Sequence, residues 1–443
     1  MSGSSLAFKV WLAYLLIDFG QVHRIIPGLS HLMLGAMATV VLLVLVVLEL
    51  PRGLNAPGGG WLRPLVAWRV LFLCAIGVGL ALAVTQGRAL LVLKTEAPRF
   101  AAAFLGAVLF VRRIQDLRIL HTVLMGLALA LSLWVLAHRG HGPGLYVDEN
   151  DAALVLVMLL PFPFLRIFAS DSGGGRRLAA IGIFTLTLMA IGITLSRGGM
   201  VGAIPALIFC WLKSRHKALG LALACAALVV AVFFAPDTFK KEFVSIGDTH
   251  ESTADARRYY WDLSVQMFEK KPLFGVGAGC WGNALYSGLL ASPDRRAHMT
   301  PHSIYFQCLT ELGLFGLFCW FGFLAATWRE LRSLRLNRLQ AGAAWALGGD
   351  PDPRALARLR SDLEFTGSFS ACLGIGIAGY LVSGAFLSVL YYPGLALFAA
   401  LAQATASAWR LRLITASLEA APAPEPAPRL AVNLRLIPDG RAA

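Results

Sequence analysis

The chain has 443 residues, of which 57% are hydrophobic and only 14% are charged, and its formal net charge is +14. Because an average soluble domain has roughly 25% charged residues, this composition excludes an ordinary soluble protein. The excess of lysine and arginine does not predict a nucleic-acid partner, since these residues lie in short stretches between apolar runs, as the positive-inside rule describes.

The seven cysteines do not predict a disulfide or a metal site. All but Cys280 lie within apolar segments, and no two of them form a CxxC pair. We therefore expect neither a metal nor a cofactor. Near the N-terminus, an apolar run follows Lys9 without the small-residue cleavage pattern of a signal peptide, so we interpret it as a first membrane span.

Apolar runs of about 20 residues recur along the chain and predict an all-α polytopic membrane protein with about twelve transmembrane helices. The predicted spans cover residues 7–26, 29–50, 65–86, 90–111, 117–137, 152–170, 177–196, 199–213, 217–235, 303–328, 366–390 and 393–410. One large polar loop, residues 236–301, separates span nine from span ten.

This pattern divides the chain into four parts. Spans one to nine occupy residues 1–235, the large loop follows at 236–301, and spans ten to twelve occupy 302–412 with a basic loop at 329–365. The tail at 413–443 is rich in proline and is predicted to lack a helix where it reads APAPEPAP. Arginines and lysines concentrate in alternate connections, which predicts that both termini are cytoplasmic and that the large loop lies at the outer face.

Arginines mark two candidate anion sites on the outer side. Arg197 lies in the sequence SRGG between two apolar runs, where an arginine costs roughly 2.5–3.5 kcal/mol at the bilayer centre. An interfacial arginine that reaches lipid headgroups is the alternative. Arg257 and Arg258 precede three aromatic residues, and on a helix Arg257 and Trp261 would share a face. A guanidinium group matches two phosphate oxygens at once, although a solvated arginine pair would have the same sequence.

His302 is the candidate general base. It follows Pro301 at the start of the tenth span, and an unperturbed pKa near 6.5 suits proton abstraction near neutral pH. Burial and the nearby arginines should lower that pKa further. The alternative is a helix cap or an interfacial histidine. Glu311, about two turns deeper, is predicted to be a supporting hydrogen-bond partner.

Three other polar stretches have competing interpretations. Lys94 interrupts the fourth span and is either a diphosphate ligand or the ion-pair partner of Glu96. The acidic stretch 148–151 resembles a metal cluster in composition, but a helix N-cap by Asn150 or Asp151 fits it better. The glycines of FGVGAG at 274–279 follow a Lys/Pro turn rather than a strand, so we interpret them as a tight turn and not as a dinucleotide site.

Three motifs resemble the O-antigen ligase and O-antigen polymerase superfamily of bacterial membrane glycosyltransferases. They are SRGG at 196–199, the R-x-x-x-W of Arg257 to Trp261 followed by PLFGVGAG, and the H-S-x-Y…E-L-G-L-F-G run from His302 to Gly316. The plan of about twelve spans with one large outer loop is also similar. The family histidine is often followed by Asn, whereas this chain has Ser303.

The resemblance implies transfer of a glycan from an undecaprenyl-diphosphate carrier to a hydroxyl group at the periplasmic face of the inner membrane. The acceptor is the lipid A core in ligases, another lipid-linked repeat unit in polymerases, and a protein hydroxyl in some relatives. Diphosphate is a good leaving group, so the chemistry needs positive charge and a base rather than a strong acid. Arg197, Arg257, Arg258 and Lys94 would supply the charge, and His302 the base.

We favour the ligase over a polymerase or a protein O-oligosaccharyltransferase. A transporter for a lipid-linked anion is a third hypothesis, with Arg197 and Lys94 along its pathway. The candidate polar residues cluster on one side of the membrane, and no internal repeat is visible, which argues against transport.

Overall fold

The computed structural model describes residues 5–54, 63–169, 173–214, 217–218, 220–222, 252–290, 300–335, 338–340, 342–343 and 353–420. Regular secondary structure in these ranges is helical throughout, which confirms the all-α class. The first half contains α1 (Leu6–Asp18), α2 (Val22–Ile25), α3 (Leu34–Leu54), α4 (Pro64–Ala81), α5 (Gln86–Arg99), α6 (Gly106–Phe110), α7 (Ile114–Ala137), α8 (Glu149–Leu159), α9 (Pro161–Ile167), α10 (Gly174–Ile193) and α11 (Arg197–Lys213). The second half contains α12 (Ser252–Lys270), α13 (Trp281–Leu285), α14 (Ile304–Ser333), α15 (Pro353–Gly384) and α16 (Pro393–Ala420).

Seven of the described helical segments are long and apolar enough to cross a membrane. They are Leu34–Gly53, Pro64–Ala81, Ile114–Ala137, Glu149–Ile167, Gly174–Ile193, Ile304–Ser333 and Pro353–Gly384. Four further predicted spans coincide with α1, the α5–α6 region, α11 and α16, which do not meet the same criterion of length and hydropathy. The predicted span 217–235 lies almost wholly outside the described residues. The chain is thus a multi-pass helical protein, and the number twelve stays a prediction.

The helix α16 is less apolar than a lipid-facing span because it lies inside the bundle. Leu397 to Ala402 are all at most 3% exposed, and Gln403 and Thr405 are fully buried beside them. A side chain that meets protein on every side does not need the hydrophobicity that lipid contact demands. The helix also continues past residue 412, where the predicted tail begins, to Ala420.

The large polar loop contains ordered helix. Residues 252–270 form α12 and residues 281–285 form α13, while 236–251 and 291–299 lie outside the described residues. Both ends of the predicted basic loop 329–365 are helical, because α14 extends to Ser333 and α15 begins at Pro353. Charged residues near those helix ends sit on extensions of the helices.

Close helix packing brings several connections together at one end of the bundle. A Cβ atom on Gly202 of α11 would lie 1.9 Å from Ser383 Oγ and 2.9 Å from the Gly379 carbonyl oxygen, so only glycine lets α11 approach α15 this closely. The connections α7–α8, α10–α11 and α15–α16 and the start of α14 all meet there. We call this the His302 end of the bundle.

Candidate active site

The helix α12 is fixed to the start of α14 by Trp261. The indole Nε1 donates a hydrogen bond to the Pro301 carbonyl oxygen at 3.0 Å. The indole ring stacks on Phe306, with 5.2 Å between the ring centroids. Residues 252–270 form a helix, so Arg257 and Trp261 lie one turn apart on the same face of α12, as predicted. This anchoring therefore positions Arg257 next to His302.

The two arginines of the doublet have different surroundings. Arg257 is partly buried, and its guanidinium carbon lies 5.9 Å from the centroid of the Phe386 ring. Burial and the positive charge of Arg197 both lower the pKa of Arg257 below its ordinary value. Arg258 is exposed and pairs with Asp255 at 3.4 Å on the same helix. Only Arg257 of the two faces the interior of the site.

Arg197 is held at the first turn of α11. Ser196 caps this helix, because its Oγ accepts a hydrogen bond from the Gly199 N–H at 3.0 Å. The same hydroxyl donates to Asn150 Oδ1 at 2.7 Å, which ties α11 to the start of α8. The turn before it is tight, with Leu195 at φ +54°. Gly198 faces Phe386, the residue whose ring also contacts Arg257.

His302 occupies an irregular position just before α14. Its φ is +47°, in the left-handed region that non-glycine residues seldom adopt. Its backbone N–H donates to Ser388 Oγ at 2.9 Å, a contact that helps to hold this conformation. Ser303 is the N-cap position of α14, so His302 is not the helix cap. Its ring centroid lies 6.4 Å from that of Tyr260.

The surroundings of His302 disfavour the protonated form of its ring. Burial lowers its pKa first, and the positive charge of Arg257 lowers it further. The carboxylate of Asp148 acts in the opposite direction. The net shift is downward, which confirms the expected direction. A neutral imidazole can accept a proton, so the site supports a base at near-neutral pH.

The glycine-rich segment docks into a break in α14. At Gly313 the backbone leaves the helical conformation, with φ +63° and ψ −163°. The carbonyl oxygens of Thr310 and Glu311 accept instead from the N–H groups of Val276 and Gly277, at 2.9 and 3.0 Å. The glycines do make a tight turn, as expected, with positive φ at Gly275, Gly277 and Gly279. This turn pairs with the break in α14.

The Glu311 carboxylate completes this junction. Its Oε2 accepts hydrogen bonds from the Gly279 N–H at 2.8 Å and from the Tyr391 hydroxyl at 2.7 Å. Glu311 is 2% exposed, so these donors replace water around a buried carboxylate. Glu311 thereby joins α14, the glycine-rich segment and the α15–α16 connection. It lies on the same helix α14 that His302 precedes.

Lys94 does not face the glycine-rich segment that binds Glu311. Val92, on the same helix α5, faces Gly279, and Lys94 two residues later points about 200° away around the helix axis. It is also exposed. The alternative in which Lys94 pairs with Glu96 is wrong, because Glu96 pairs with Arg69 at 2.6 Å and with Arg99 at 3.8 Å.

The acidic stretch before α8 forms a cap. Asp148, rather than Asn150 or Asp151, is the N-cap residue, and its Oδ1 accepts from the Asn150 N–H at 2.8 Å. The expected capping residue is thus wrong by two or three positions. Asp151 instead accepts a hydrogen bond from the Tyr392 hydroxyl. Within the described ranges, no three His, Cys, Asp or Glu side chains converge as a metal site would require.

The same region of the chain has a recognisable family pattern. The family model described as O-Antigen ligase matches residues 182–321. This O-antigen ligase-like segment includes Arg197, Arg257 and His302. The match confirms the resemblance to the O-antigen ligase and polymerase superfamily, whose members are membrane glycosyltransferase-like enzymes. No curated protein matches the sequence.

Several residues around the O-antigen ligase-like segment were missed by sequence reasoning. Phe386 and Ser388 contact Arg257 and His302 from the α15–α16 connection. Their stretch is almost uniformly apolar and merges with a predicted span, so no sequence signal marks it. In the sequence, Asp148 is only one member of an acidic stretch that resembles a metal cluster. Its effect on His302 depends on the packing of α8 against α11 and α15, which no local pattern reports.

Proposed function

We propose that this protein is an O-antigen ligase-type glycosyltransferase that moves a glycan from undecaprenyl diphosphate to a hydroxyl group of the lipid A core. One observation carries the proposal: the α15–α16 connection brings together the three elements that hold Arg197, Arg257 and His302. Phe386 contacts Arg257 and the first turn of α11 beside Arg197, and Ser388 accepts a hydrogen bond from the His302 N–H. Two arginines placed together repel each other, and a bound diphosphate between them would relieve that repulsion.

Each residue has a distinct role in the proposed reaction. Arg197 and Arg257 bind the diphosphate oxygens, each guanidinium donating to two of them. Neutral His302 accepts the proton of the acceptor hydroxyl while the hydroxyl oxygen forms a bond to the anomeric carbon. The bond from that carbon to the diphosphate oxygen breaks, and undecaprenyl diphosphate leaves with the electron pair. Attack from the opposite face inverts the anomeric configuration, and no metal is required.

Two of the earlier candidates have a smaller part in this proposal. Arg258 is exposed and paired with Asp255, so it adds to the positive field without contacting the diphosphate. Lys94 lies on the far face of α5 from Gly279 and is left out of the donor site. Trp261 and Glu311 support the site by holding α12 and the glycine-rich segment in place.

The proposed orientation follows the arginine and lysine bias of the connections. Both termini would be cytoplasmic, and the His302 end would face the periplasm from the bacterial inner membrane. The description of the matching family favours a ligase over a polymerase. A transporter is disfavoured because Arg197, Arg257 and His302 lie together at one end of the bundle.

Transfer by the purified protein tests the proposal. The full-length protein in detergent should join a lipid-linked glycan to lipid A core without a membrane gradient. Movement of the donor across a vesicle membrane without a new bond would contradict it. In cells, deletion of the gene should leave lipid A core without polymer and accumulate lipid-linked polymer. A single attached repeat would instead indicate a polymerase, and unchanged lipopolysaccharide would indicate another acceptor.

A further inference from the structure

A cavity lies at the end of the bundle opposite His302. Its volume is about 370 Å³, within the range of roughly 300–1,000 Å³ that small-molecule sites have. Segments near the ends of α7, α9, α11 and α15 surround it. None of its lining residues belongs to the candidate active site, so its ligand is not the glycan donor described above.

The cavity has a strong excess of positive charge. Arg118, Arg166, Lys213 and Arg360 line it, and they come from α7, α9, α11 and α15 respectively. Glu364 is the one carboxylate among the lining residues. Folding thus collects four cations from four helices in one concave surface. Such a surface concentrates positive potential and attracts anions.

One wall of the cavity is held rigidly. The guanidinium carbon of Arg118 lies 4.6 Å from the centroid of the Phe365 ring. The same side chain donates to Asp362 Oδ1 at 3.2 Å and to Ser361 Oγ at 3.1 Å. Arg412 of α16 binds the other oxygen of Asp362 at 2.9 Å. The spacing between α7 and α15 is therefore set before any ligand binds, which lowers the entropic cost of binding.

The remaining lining separates into a polar rim and an apolar floor. Lys213 and Arg360 are exposed at the rim. Phe369 and Cys372 are at most 1% exposed and form the floor with Leu165. A ligand with a negatively charged head and an apolar body would match both parts. A small inorganic anion would use only the rim.

The cavity also lies at the expected depth of lipid headgroups. Lys213 is the last residue of α11, and Arg166 is in the last turn of α9. Basic pockets between transmembrane helices at this level bind anionic headgroups. We propose that this cavity binds the phosphate headgroup of an anionic phospholipid in the leaflet opposite the active site. The acyl chains would follow the apolar floor towards the bilayer.

Lipid binding to the full-length protein tests this site. Phosphatidylglycerol and phosphatidylcholine are titrated into the detergent-solubilised protein and counted by native mass spectrometry, with sn-glycerol 3-phosphate and inorganic phosphate as water-soluble probes. The cavity variant combines Arg166→Gln, Lys213→Gln and Arg360→Gln. The control combines Arg329→Gln, Arg332→Gln and Arg358→Gln, which removes the same charge from exposed positions outside the cavity.

We expect the wild type to prefer phosphatidylglycerol and the cavity variant to bind it at least about tenfold more weakly. The control variant should keep the wild-type affinity. Binding of phosphatidylglycerol alone identifies a lipid headgroup, whereas equal binding of the water-soluble phosphates identifies a free phosphate as the ligand. Equal loss in the control, no preference over phosphatidylcholine, or no binding would overturn the proposal. If the triple variant does not fold, the two rim changes at Lys213 and Arg360 serve alone.

Discussion

Replacement of Arg257 and of its neighbour Arg258 is the most direct test of the proposed donor site. The two residues are adjacent on α12 and differ in exposure: Arg257 is partly buried against Phe386, and Arg258 is exposed and paired with Asp255. A single substitution to alanine removes the same side chain in both cases. The comparison therefore isolates the position of the guanidinium group from the total charge of the protein.

The expected losses follow from these environments. A hydrogen bond to a charged group contributes about 1.5–3 kcal/mol, which corresponds to about 10- to 150-fold in affinity. Arg257→Ala should weaken the binding of undecaprenyl diphosphate by that factor. An exposed ion pair contributes at most about 1 kcal/mol, so Arg258→Ala should cost about fivefold or less. Arg257→Lys should restore little, because an ammonium group cannot contact two phosphate oxygens as a guanidinium does.

Donor affinity is measured on purified, monodisperse protein by displacement of a fluorescent polyprenyl-diphosphate analogue. Thermal unfolding of each variant is the control for folding. Arg257→Ala should not lower the unfolding temperature, because it removes one of two repelling charges. Equal losses for the two alanine variants would mean that the wrong arginine has been assigned. Near-normal binding by Arg257→Lys would refute the two-oxygen contact.

Four further predictions concern the base, the supporting carboxylate and metals. His302→Ala should retain donor binding but transfer glycan at least about a hundredfold more slowly; a joint collapse of binding and turnover would make His302 a phosphate ligand. Because burial and Arg257 lower the pKa of His302, the rate should fall only when the pH drops below 6.5. Asp148 raises that pKa, so Asp148→Asn should move the fall in rate to a still lower pH. Glu311→Ala leaves two donors unsatisfied and should cost about 2–6 kcal/mol of stability, seen as a lower unfolding temperature, whereas exposed Asp262→Ala should not. Transfer should persist in saturating chelator. Loss of transfer in chelator, followed by recovery when magnesium is added, would instead indicate that Asp148 is a metal ligand.

The sequence by itself determined the class of protein and the order of its helices. Runs of apolar residues are local signals, because lipid imposes the same requirement on every exposed turn of a spanning helix. The helical relation of Arg257 to Trp261 is local in the same sense. The motifs around Arg197 and His302 also lie in short stretches, which is why the family resemblance is visible without a structure.

Tertiary structure decided which charged residues meet. Glu96 pairs with Arg69, from a different helix, rather than with its neighbour Lys94, since side chains two apart on a helix point in different directions. Phe386 and Ser388 reach the candidate site from a connection more than eighty residues beyond His302. The basic cavity needs four helices at once. Contacts between distant segments depend on how helices pack, and no window of sequence contains that information.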